Sequence, residues 1–454
     1  MKASTIRLPP PISTTRSLDL WFKTNLDKVT AQLALHTPMK RVTYQSKPSW
    51  SELLSILRRA YNTALMSSKR ARFDASLLAS ARAARSAYFK AIKKAKREHW
   101  FSFLSPATPQ TVRRANKFAV GCPPPRFLEL PGATTPPELN KALLDHFVHG
   151  KPASFFDTIL LSFNDCPNLA ADQISRALAR SSRLSALGAD MSPNSVWKRI
   201  HRAAPHLIHD LHARLVAHGS HPLTLKRADG ILPNKPGKPS YDSLSSFSVI
   251  VLLQSFSKIL ERIMNSRLSC VARVSGLLNP HQCGSLAGLS ASDATSTLTH
   301  EVRTLQMAGK KVSTLFLDMK EVFDNVNPAT LCAMLKAKGV YQYLVSSTKS
   351  CLSGRMCRLL YQGSPRVFAP ISVGTSQGSP VSPLLFVIYV SHLHCKIPGR
   401  LTLSYIDDFG LSASSASYRR HIEILQKQYA KLKARGPLWE SGSQSPRQNW
   451  STGE

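Results

Sequence analysis

Acidic residues are scarce in this sequence. Only 26 Asp and Glu stand against 60 Lys and Arg in 454 residues, which gives a formal net charge of +34. An excess of this size predicts a polyanionic partner, with nucleic acid first and an anionic membrane surface second. Apolar residues make up 43% of the chain, so disorder throughout is excluded and a large buried core is expected.

Long apolar runs are also missing. The longest, residues 384–390, is far shorter than the ~20 residues that span a bilayer. The N-terminus has no apolar signal core. The eight cysteines include no C-x-x-C pair, so we do not expect a zinc module of that kind. We expect an intracellular protein, nuclear or cytoplasmic, that makes no use of a membrane.

The texture of the sequence changes along the chain. From residue 224 onward, short apolar runs alternate with longer helical patterns, which predicts an α+β (mixed α/β) fold. The predicted segments are a poorly ordered lead-in over 1–48, a basic helical region over 49–105, a Pro-rich linker with a short helix over 106–171, a helical segment over 172–223, the mixed domain over 224–436 and a disordered tail over 437–454.

The basic helical region carries 12 basic and three acidic residues within 51–100, interleaved with apolar ones. This pattern indicates one or two amphipathic helices. One interpretation is a solvated, charged face of a helical hairpin. The other is an arm that lies along phosphates and binds nucleic acid, with its contacts concentrated at Lys93, Lys94, Lys96 and Arg97.

Three acids stand at the ends of apolar stretches. Asp318 ends the apolar run 313–318, and Asp407 and Asp408 interrupt two apolar stretches, which predicts two strands joined by a tight turn. Adjacent like charges in such a place are unfavourable unless a cation neutralises them, and hard carboxylate ligands favour Mg²⁺ or Mn²⁺. Alternatively, the acid pair is an ordinary hairpin turn, where Asp is common.

Two further segments have the chemistry of nucleotide sites. Gln377 and Gly378 precede a Ser-Pro helix start, whose free N–H groups suit a nucleotide. Lys235 and Lys238 flank a Pro-Gly turn that could meet a triphosphate. Each segment by itself is weakly specific, and the second is more often only a loop.

Taken together, these segments resemble the reverse transcriptase domain of a non-LTR (LINE-type) retrotransposon. The resemblance covers roughly residues 172–436, and it depends on five motifs that occur in the family's order. They are LPNKPGK (232–238), LLQSFSKILE (252–261), FLDMKEVFDNV (316–326), SQGSPVSPLLF (376–386) and YIDD (405–408).

The resemblance implies the fingers and palm of a right-hand polymerase, preceded by a helical N-terminal region. It implies an RNA-directed DNA polymerase that extends a DNA primer on an RNA template with dNTPs. Asp318, Asp407 and Asp408 match the palm aspartates that hold two Mg²⁺ (or Mn²⁺) ions, and the carbonyl of Met319 matches an additional metal ligand.

The resemblance also implies roles in nucleotide binding. Phe323 matches the aromatic residue that excludes a ribose 2′-OH, although core packing is an alternative for this ring. Gln377 and Gly378 match residues that line the incoming nucleotide and the template. Lys235 and Lys238 match residues of the fingers near the template or the triphosphate.

Some positions depart from the family pattern. Ser248 stands where the family usually has an arginine that meets the triphosphate. Residues 437–454 have no apolar periodicity where the family continues into a helical thumb, so we expect a C-terminally truncated domain without a thumb. Two alternatives therefore stay open, namely a catalytically inactive retrotransposon remnant and a basic nucleic-acid-binding protein.

Overall fold

A computed structural model describes most of the chain. The described residues are 13–36, 49–71, 74–105, 136–148, 161, 163–182, 185–235, 240–286, 288–319, 323–360, 367–394, 402–435 and 448–452. They fall into two compact units, one formed within 29–127 and a larger one within 1–28 and 128–454.

The described residues form thirteen α-helices. In chain order these are α1 Thr15–His36, α2 Glu52–Arg70, α3 Ala75–Leu104, α4 Pro136–Phe147, α5 Ala171–Ala179, α6 Asn194–Ala203, α7 Pro205–Ala217, α8 Ser255–Val274, α9 Ala291–Met307, α10 Pro328–Ala337, α11 Gln342–Leu352, α12 Ser382–Val390 and α13 Tyr418–Arg435. None of these helices combines the length and apolar character that crossing a bilayer takes.

Nine strands accompany them in the described residues. They are β1 Arg227–Ile231, β2 Ile250–Leu252, β3 Gln282–Cys283, β4 Lys311–Asp318, β5 Arg355–Leu360, β6 Ala369–Ile371, β7 Thr402–Tyr405, β8 Asp408–Ser415 and β9 Gln448–Thr452. One sheet has the order β2-β1-β5-β6 and the other the order β3-β7-β8-β4-β9. The mixed α/β architecture predicted from the sequence is confirmed.

The five-stranded sheet is built around β4 and β8. These two strands pair antiparallel over eight residue pairs, from Lys311 opposite Ser415 to Asp318 opposite Asp408. Leu315 and Leu317 are buried, whereas Phe316 between them is 40% exposed, because side chains of a strand alternate between its faces. The buried face packs into an extensive apolar cluster.

Helix α12 lies in the centre of that cluster. Every residue from Leu384 to Val390 is buried, so the longest apolar run of the sequence is a core helix. A helix that is apolar on all sides is stable only when protein surrounds it.

The predicted lead-in over 1–48 is wrong for residues 15–36, which form α1. Leu18 and Phe22 of this helix are fully buried, and the Phe22 ring lies 5.4 Å from that of Phe256 in α8. The apolar side chains at positions 18, 21, 22, 26 and 29 recur at helical spacing, and their burial explains why the segment is ordered.

The predicted disordered tail over 437–454 is wrong for residues 448–452, which form β9. This strand pairs antiparallel with β4, from Ser313 opposite Thr452 to Leu317 opposite Gln448. The physical reason is that β4 has a second edge, whose N–H and C=O groups gain partners when a further strand is added.

Candidate functional site

The three predicted acids meet where β4 ends and β8 begins. Asp318 and Asp408 are directly opposite each other in the antiparallel register, which brings their Cα atoms to about 4.5–5.5 Å. The N–H of Met319 lies 3.4 Å from the carbonyl oxygen of Asp407. The Asp407 side chain is half-buried and that of Asp408 is exposed, so the pair opens toward solvent. Residues almost ninety positions apart in the sequence thus converge on one place. We call the meeting point of Asp318, Asp407 and Asp408 the acid corner.

A two-residue turn presents this acid pair. Tyr405 pairs with Asp408, and Ile406 and Asp407 form the turn between them. Ile406 has φ of 55°, which is typical of tight hairpin turns but unfavourable for a β-branched residue, at a cost of roughly 1–3 kcal/mol. The predicted hairpin is present, and its turn is strained.

Strand β3 supports the strained turn. The N–H of Ile406 donates to the carbonyl of Cys283 at 3.2 Å. The next residue, Gly284, has φ of 84°, and a Cβ at this position would lie 2.6 Å from Cγ1 of Ile406. Gly284 therefore makes room for the Ile406 side chain and holds the turn in place.

The loop before α12, residues 372–381, lies against the segment that follows Asp318. The N–H of Gly374 donates to the carbonyl of Val326 at 2.8 Å, and Thr375 donates to the carbonyl of Phe323. A Cβ on Gly374 would come within 2.6 Å of the Asp324 carbonyl oxygen. The loop and the segment 323–326 therefore form one backbone-bonded unit.

Gln377 and Gly378 are fixed against β2. The carbonyl of Gln377 accepts a hydrogen bond of 2.7 Å from the N–H of Val251. Gly378 has φ of 114°, and a Cβ there would lie 2.4 Å from the Val251 carbonyl oxygen. Only glycine fits this approach, because a side chain would meet rigid backbone.

Arg355 binds the same loop through its side chain. This role was not predicted from the sequence. Its buried guanidinium donates to the carbonyls of Val373 and Gly374 at 3.1 and 2.7 Å, and to the hydroxyl of Ser376 at 3.3 Å. Burial lowers the pKa of this guanidinium. Strand β5 reads RMCRLL and contains a second arginine, Arg358, so nothing in the local sequence singles out Arg355 for this role.

Glu261 is a second residue that sequence reasoning missed. Its buried carboxylate accepts hydrogen bonds from the hydroxyls of Ser257 and Ser379. Ser379 Oγ in turn accepts from the N–H groups of Val381 and Ser382 at 3.3 Å, which caps the start of α12. Burial raises the pKa of Glu261. This chain of bonds links α8 to the helix start beside Gly378.

Phe323 is partly buried, and its ring lies 4.9 Å from that of Phe386 in α12. The Phe323 ring therefore packs partly in the core, as the alternative prediction for this residue states. Lys235 is half-buried, and its Nζ donates to the carbonyl of Ser245 at 3.1 Å within its own loop. Lys238 lies outside the described residues.

The four basic residues singled out from the sequence belong to the smaller unit. Lys93, Lys94, Lys96 and Arg97 are all exposed on α3. Lys94 and Glu98 approach to 3.8 Å, but both side chains are well exposed, and such a pair contributes little to stability. Among the described residues, Lys94–Glu98 is the one ion pair formed by these four side chains.

Comparison with known proteins agrees with this geometry. Residues 233–437 match the family of reverse transcriptases (RNA-dependent DNA polymerases). They form a reverse transcriptase domain of the LINE type. The matched range contains the acid corner, the loop before α12 and Glu261, so the resemblance inferred from the five motifs is confirmed. Reverse transcriptase domains depend on divalent metal ions and bind template and primer.

The related proteins are encoded by mobile elements of Drosophila melanogaster. The chain is 27% identical over 217 residues to a probable RNA-directed DNA polymerase from transposon X-element, covering 48% of this chain and 24% of that protein. It is 28% identical over 225 residues to the corresponding protein from transposon BS, covering 48% and 25%. For the RNA-directed DNA polymerase from mobile element jockey the identity is 29% over 214 residues, covering 44% and 22%. The matched part of this chain thus spans about a quarter of each relative's length.

Proposed function

We propose that this chain is an RNA-directed DNA polymerase, which joins a primer 3′-OH to the α-phosphate of a dNTP opposite an RNA template. The observation that carries the proposal is the β4–β8 register, with Asp318 opposite Asp408 and Asp407 in the adjoining turn. Opposite residues of an antiparallel pair project from the same face of the sheet, so their backbone positions suit a shared cation.

The donor set fits a pair of Mg²⁺ ions. Asp318, Asp407 and Asp408 offer carboxylates, Met319 offers a carbonyl, and every donor is a hard oxygen of the kind that Mg²⁺ prefers. Two such ions, when bound, lower the pKa of the primer hydroxyl and neutralise the charge on the departing pyrophosphate. We propose that the strained turn at Ile406 serves to aim Asp407 and Asp408 at this position.

We propose that the loop before α12 receives the nucleotide. The carbonyl of Gln377 accepts a backbone bond from β2, Arg355 donates to the carbonyl of Gly374, and Ser379 donates to Glu261. A site on rigid elements keeps its geometry without reorganisation during the reaction. Phe323, half-buried beside this loop, is proposed to exclude a ribose 2′-OH, and Lys235 and Lys238 to lie near the template or the triphosphate.

We propose that the exposed basic face of α3, at Lys93, Lys94, Lys96 and Arg97, binds the phosphates of template or primer. Such contacts are independent of nucleotide sequence, because they neutralise backbone charge. Selection of the incoming base then belongs to pairing with the template.

The test is extension of a labelled DNA primer annealed to an RNA template, with Mg²⁺ and dNTPs. We expect extension by the unaltered chain and its loss, by more than about 100-fold, in Asp407→Asn, because removing one carboxylate charge weakens the metal site. Asp172→Asn is the matched control, because Asp172 is exposed and only pairs with Arg176 on the surface of α5.

Two outcomes contradict the proposal. If Asp407→Asn and the unaltered chain extend the primer equally, the acid corner has no role in catalysis. No extension by either, combined with salt-sensitive RNA binding, identifies a nucleic-acid-binding remnant instead.

A further inference from the structure

Three side chains with metal-binding donor atoms meet in the interior of the larger unit. His221 lies between α7 and β1, Glu261 lies in α8, and Cys351 lies in the last turn of α11. One donor atom from each lies within 4.8 Å of the other two, and all three residues are buried. Among the described side chains, no other group of three His, Cys, Asp or Glu residues converges in this way.

We propose that His221, Glu261 and Cys351 bind one zinc ion. Imidazole, thiolate and carboxylate are the ligand types that zinc takes in proteins, and a thiolate selects against Mg²⁺. The site is therefore chemically distinct from the all-oxygen corner at Asp407 and Asp408. It does not rest on polymerase activity, because the ligands are assigned from their own positions.

The geometry needs only a small contraction. Donor atoms around a tetrahedral zinc lie roughly 3.3–3.8 Å apart, as follows from Zn–S of about 2.3 Å and Zn–N of about 2.0 Å. The three atoms here lie within 4.8 Å of one another, so a shift of roughly 1 Å completes the site. Nε2 of His221 lies 3.0 Å from the hydroxyl of Ser257, so a metal bond to this nitrogen would replace that hydrogen bond.

Space is present beside the three ligands. A small cavity of about 20 Å³ is lined by His221, Glu261 and Cys351 among others. This volume accommodates about one water molecule, which suits an ion or its fourth ligand. The Glu261 carboxylate also accepts from Ser257 and Ser379, and its two oxygens have enough lone pairs to keep these bonds while binding a cation.

The protonation states of the ligands set the charge of the empty site. Burial and nearby Lys226 lower the pKa of His221 to about 3, so the imidazole is neutral, the form that binds metals. Burial raises the pKa of Cys351 to about 12, so the empty site holds a thiol, and binding of zinc releases its proton to solvent. The thiolate and the carboxylate then offset the two charges of the ion itself. Lys226 and Arg355 line the same cavity, so the loaded site keeps a net positive charge, which weakens zinc binding relative to a site without these cations.

A metal here would join three segments that lie far apart in the sequence. It would also reach the loop before α12 through the Glu261–Ser379 hydrogen bond. The expected consequence is a higher melting temperature of the loaded protein, since an ion that binds only the folded chain shifts the unfolding equilibrium.

The test uses the purified full chain, stripped of metal in reducing buffer and titrated with Co²⁺ and then with Zn²⁺. We expect a thiolate-to-cobalt charge-transfer band in the near ultraviolet, saturation at one ion per chain, and displacement of the band by Zn²⁺. Cys351→Ser removes the band and weakens zinc binding by more than about 100-fold, beyond what the loss of an outer-shell contact costs.

The matched control is Cys357→Ser, which alters another buried thiol that offers no donor to the cluster. It is expected to keep the cobalt band. Should Cys351→Ser fail to fold, X-ray absorption of the zinc-loaded unaltered chain decides, because the proposal requires one sulfur and otherwise nitrogen and oxygen ligands. Zinc without sulfur, zinc with two sulfurs, or no tight binding of either ion would each overturn it.

Discussion

At the scale of single residues, this domain depends on positions where backbone meets backbone. Gly378 and Gly374 each lie so close to a neighbouring carbonyl that a Cβ would collide with it. Ile406 shows the opposite case, in which a β-branched residue keeps a positive φ because β3 supports it. Gly374 and Gly378 belong to the loop before α12, and Ile406 belongs to the turn that carries Asp407.

Gly378→Ala is therefore expected to lower the free energy of unfolding by about 2–4 kcal/mol, because the new methyl would lie 2.4 Å from the Val251 carbonyl oxygen. Urea denaturation measures the loss. Gly276→Ala is the control, since Gly276 also has positive φ but has open space around a Cβ, and it should lose only about 1 kcal/mol. Equal losses in both variants would show that backbone strain, and not the close approach, decides the effect.

The second residue-scale prediction concerns His212, which is buried in α7 with its ring stacked on Phe256 at 4.1 Å. Burial lowers its pKa from 6.5 to about 4. Between these values the unfolded chain binds the proton and the folded chain does not, so stability falls as pH drops from 6.5 to about 4. The loss attributable to this group is at most roughly 3 kcal/mol, at 1.36 kcal/mol per pKa unit.

We expect His212→Phe to flatten this part of the stability profile when urea midpoints are measured across the pH range. The control is His206→Gln, since His206 is exposed on the same helix. A profile that His212→Phe leaves unchanged would mean that other groups cause the acid sensitivity.

At the scale of elements, α1 was not predicted, because the sequence before it is rich in Pro, Ser and Thr. The helix is ordered through burial of one face, and Phe22 contacts Phe256 of α8. By contrast, the longer helical patterns predicted after residue 224 are present, for example as α8, α9, α10 and α13. A helix beside Pro-rich sequence is harder to predict, because its stability depends on the core against which it packs.

Phe22→Ala should cost about 3–5 kcal/mol of stability, since it removes a fully buried aromatic ring and leaves a cavity. Leu20→Ala, two positions away on the same helix, should change stability by less than about 0.5 kcal/mol, because Leu20 is 66% exposed. Chemical denaturation of the two variants gives the comparison. If the two variants lose similarly little free energy of unfolding, α1 does not unfold cooperatively with the core.

At the scale of the whole molecule, the net charge of +34 dominates. The basic face of α3 and the basic residues of α13 contribute to it from different units. If the α3 face binds phosphates, replacing Lys93, Lys94, Lys96 and Arg97 by Gln should reduce the slope of log affinity against log salt concentration by up to about 3–4 for duplex nucleic acid. Binding measured by fluorescence anisotropy across a salt series gives the slope.

The control for this prediction removes the same number of charges from α13, at Arg419, Arg420, Lys427 and Lys431, all of which are exposed. A smaller change in the slope than that caused by the α3 variant supports a defined contact surface. Equal changes would instead indicate that net charge alone attracts the nucleic acid.

The sequence by itself determined the class of fold and the family, and it singled out Asp318, Asp407 and Asp408 as candidate site residues. Strand alternation, helical periodicity and five ordered motifs are local signals, so they can be read from the sequence alone. Only the tertiary structure decided which residues support the candidate site. Arg355 and Glu261 act through bonds to distant segments, and the His221–Glu261–Cys351 cluster joins positions up to 130 residues apart. The physical reason is that burial and hydrogen-bond partners depend on chain crossings that no local spacing encodes.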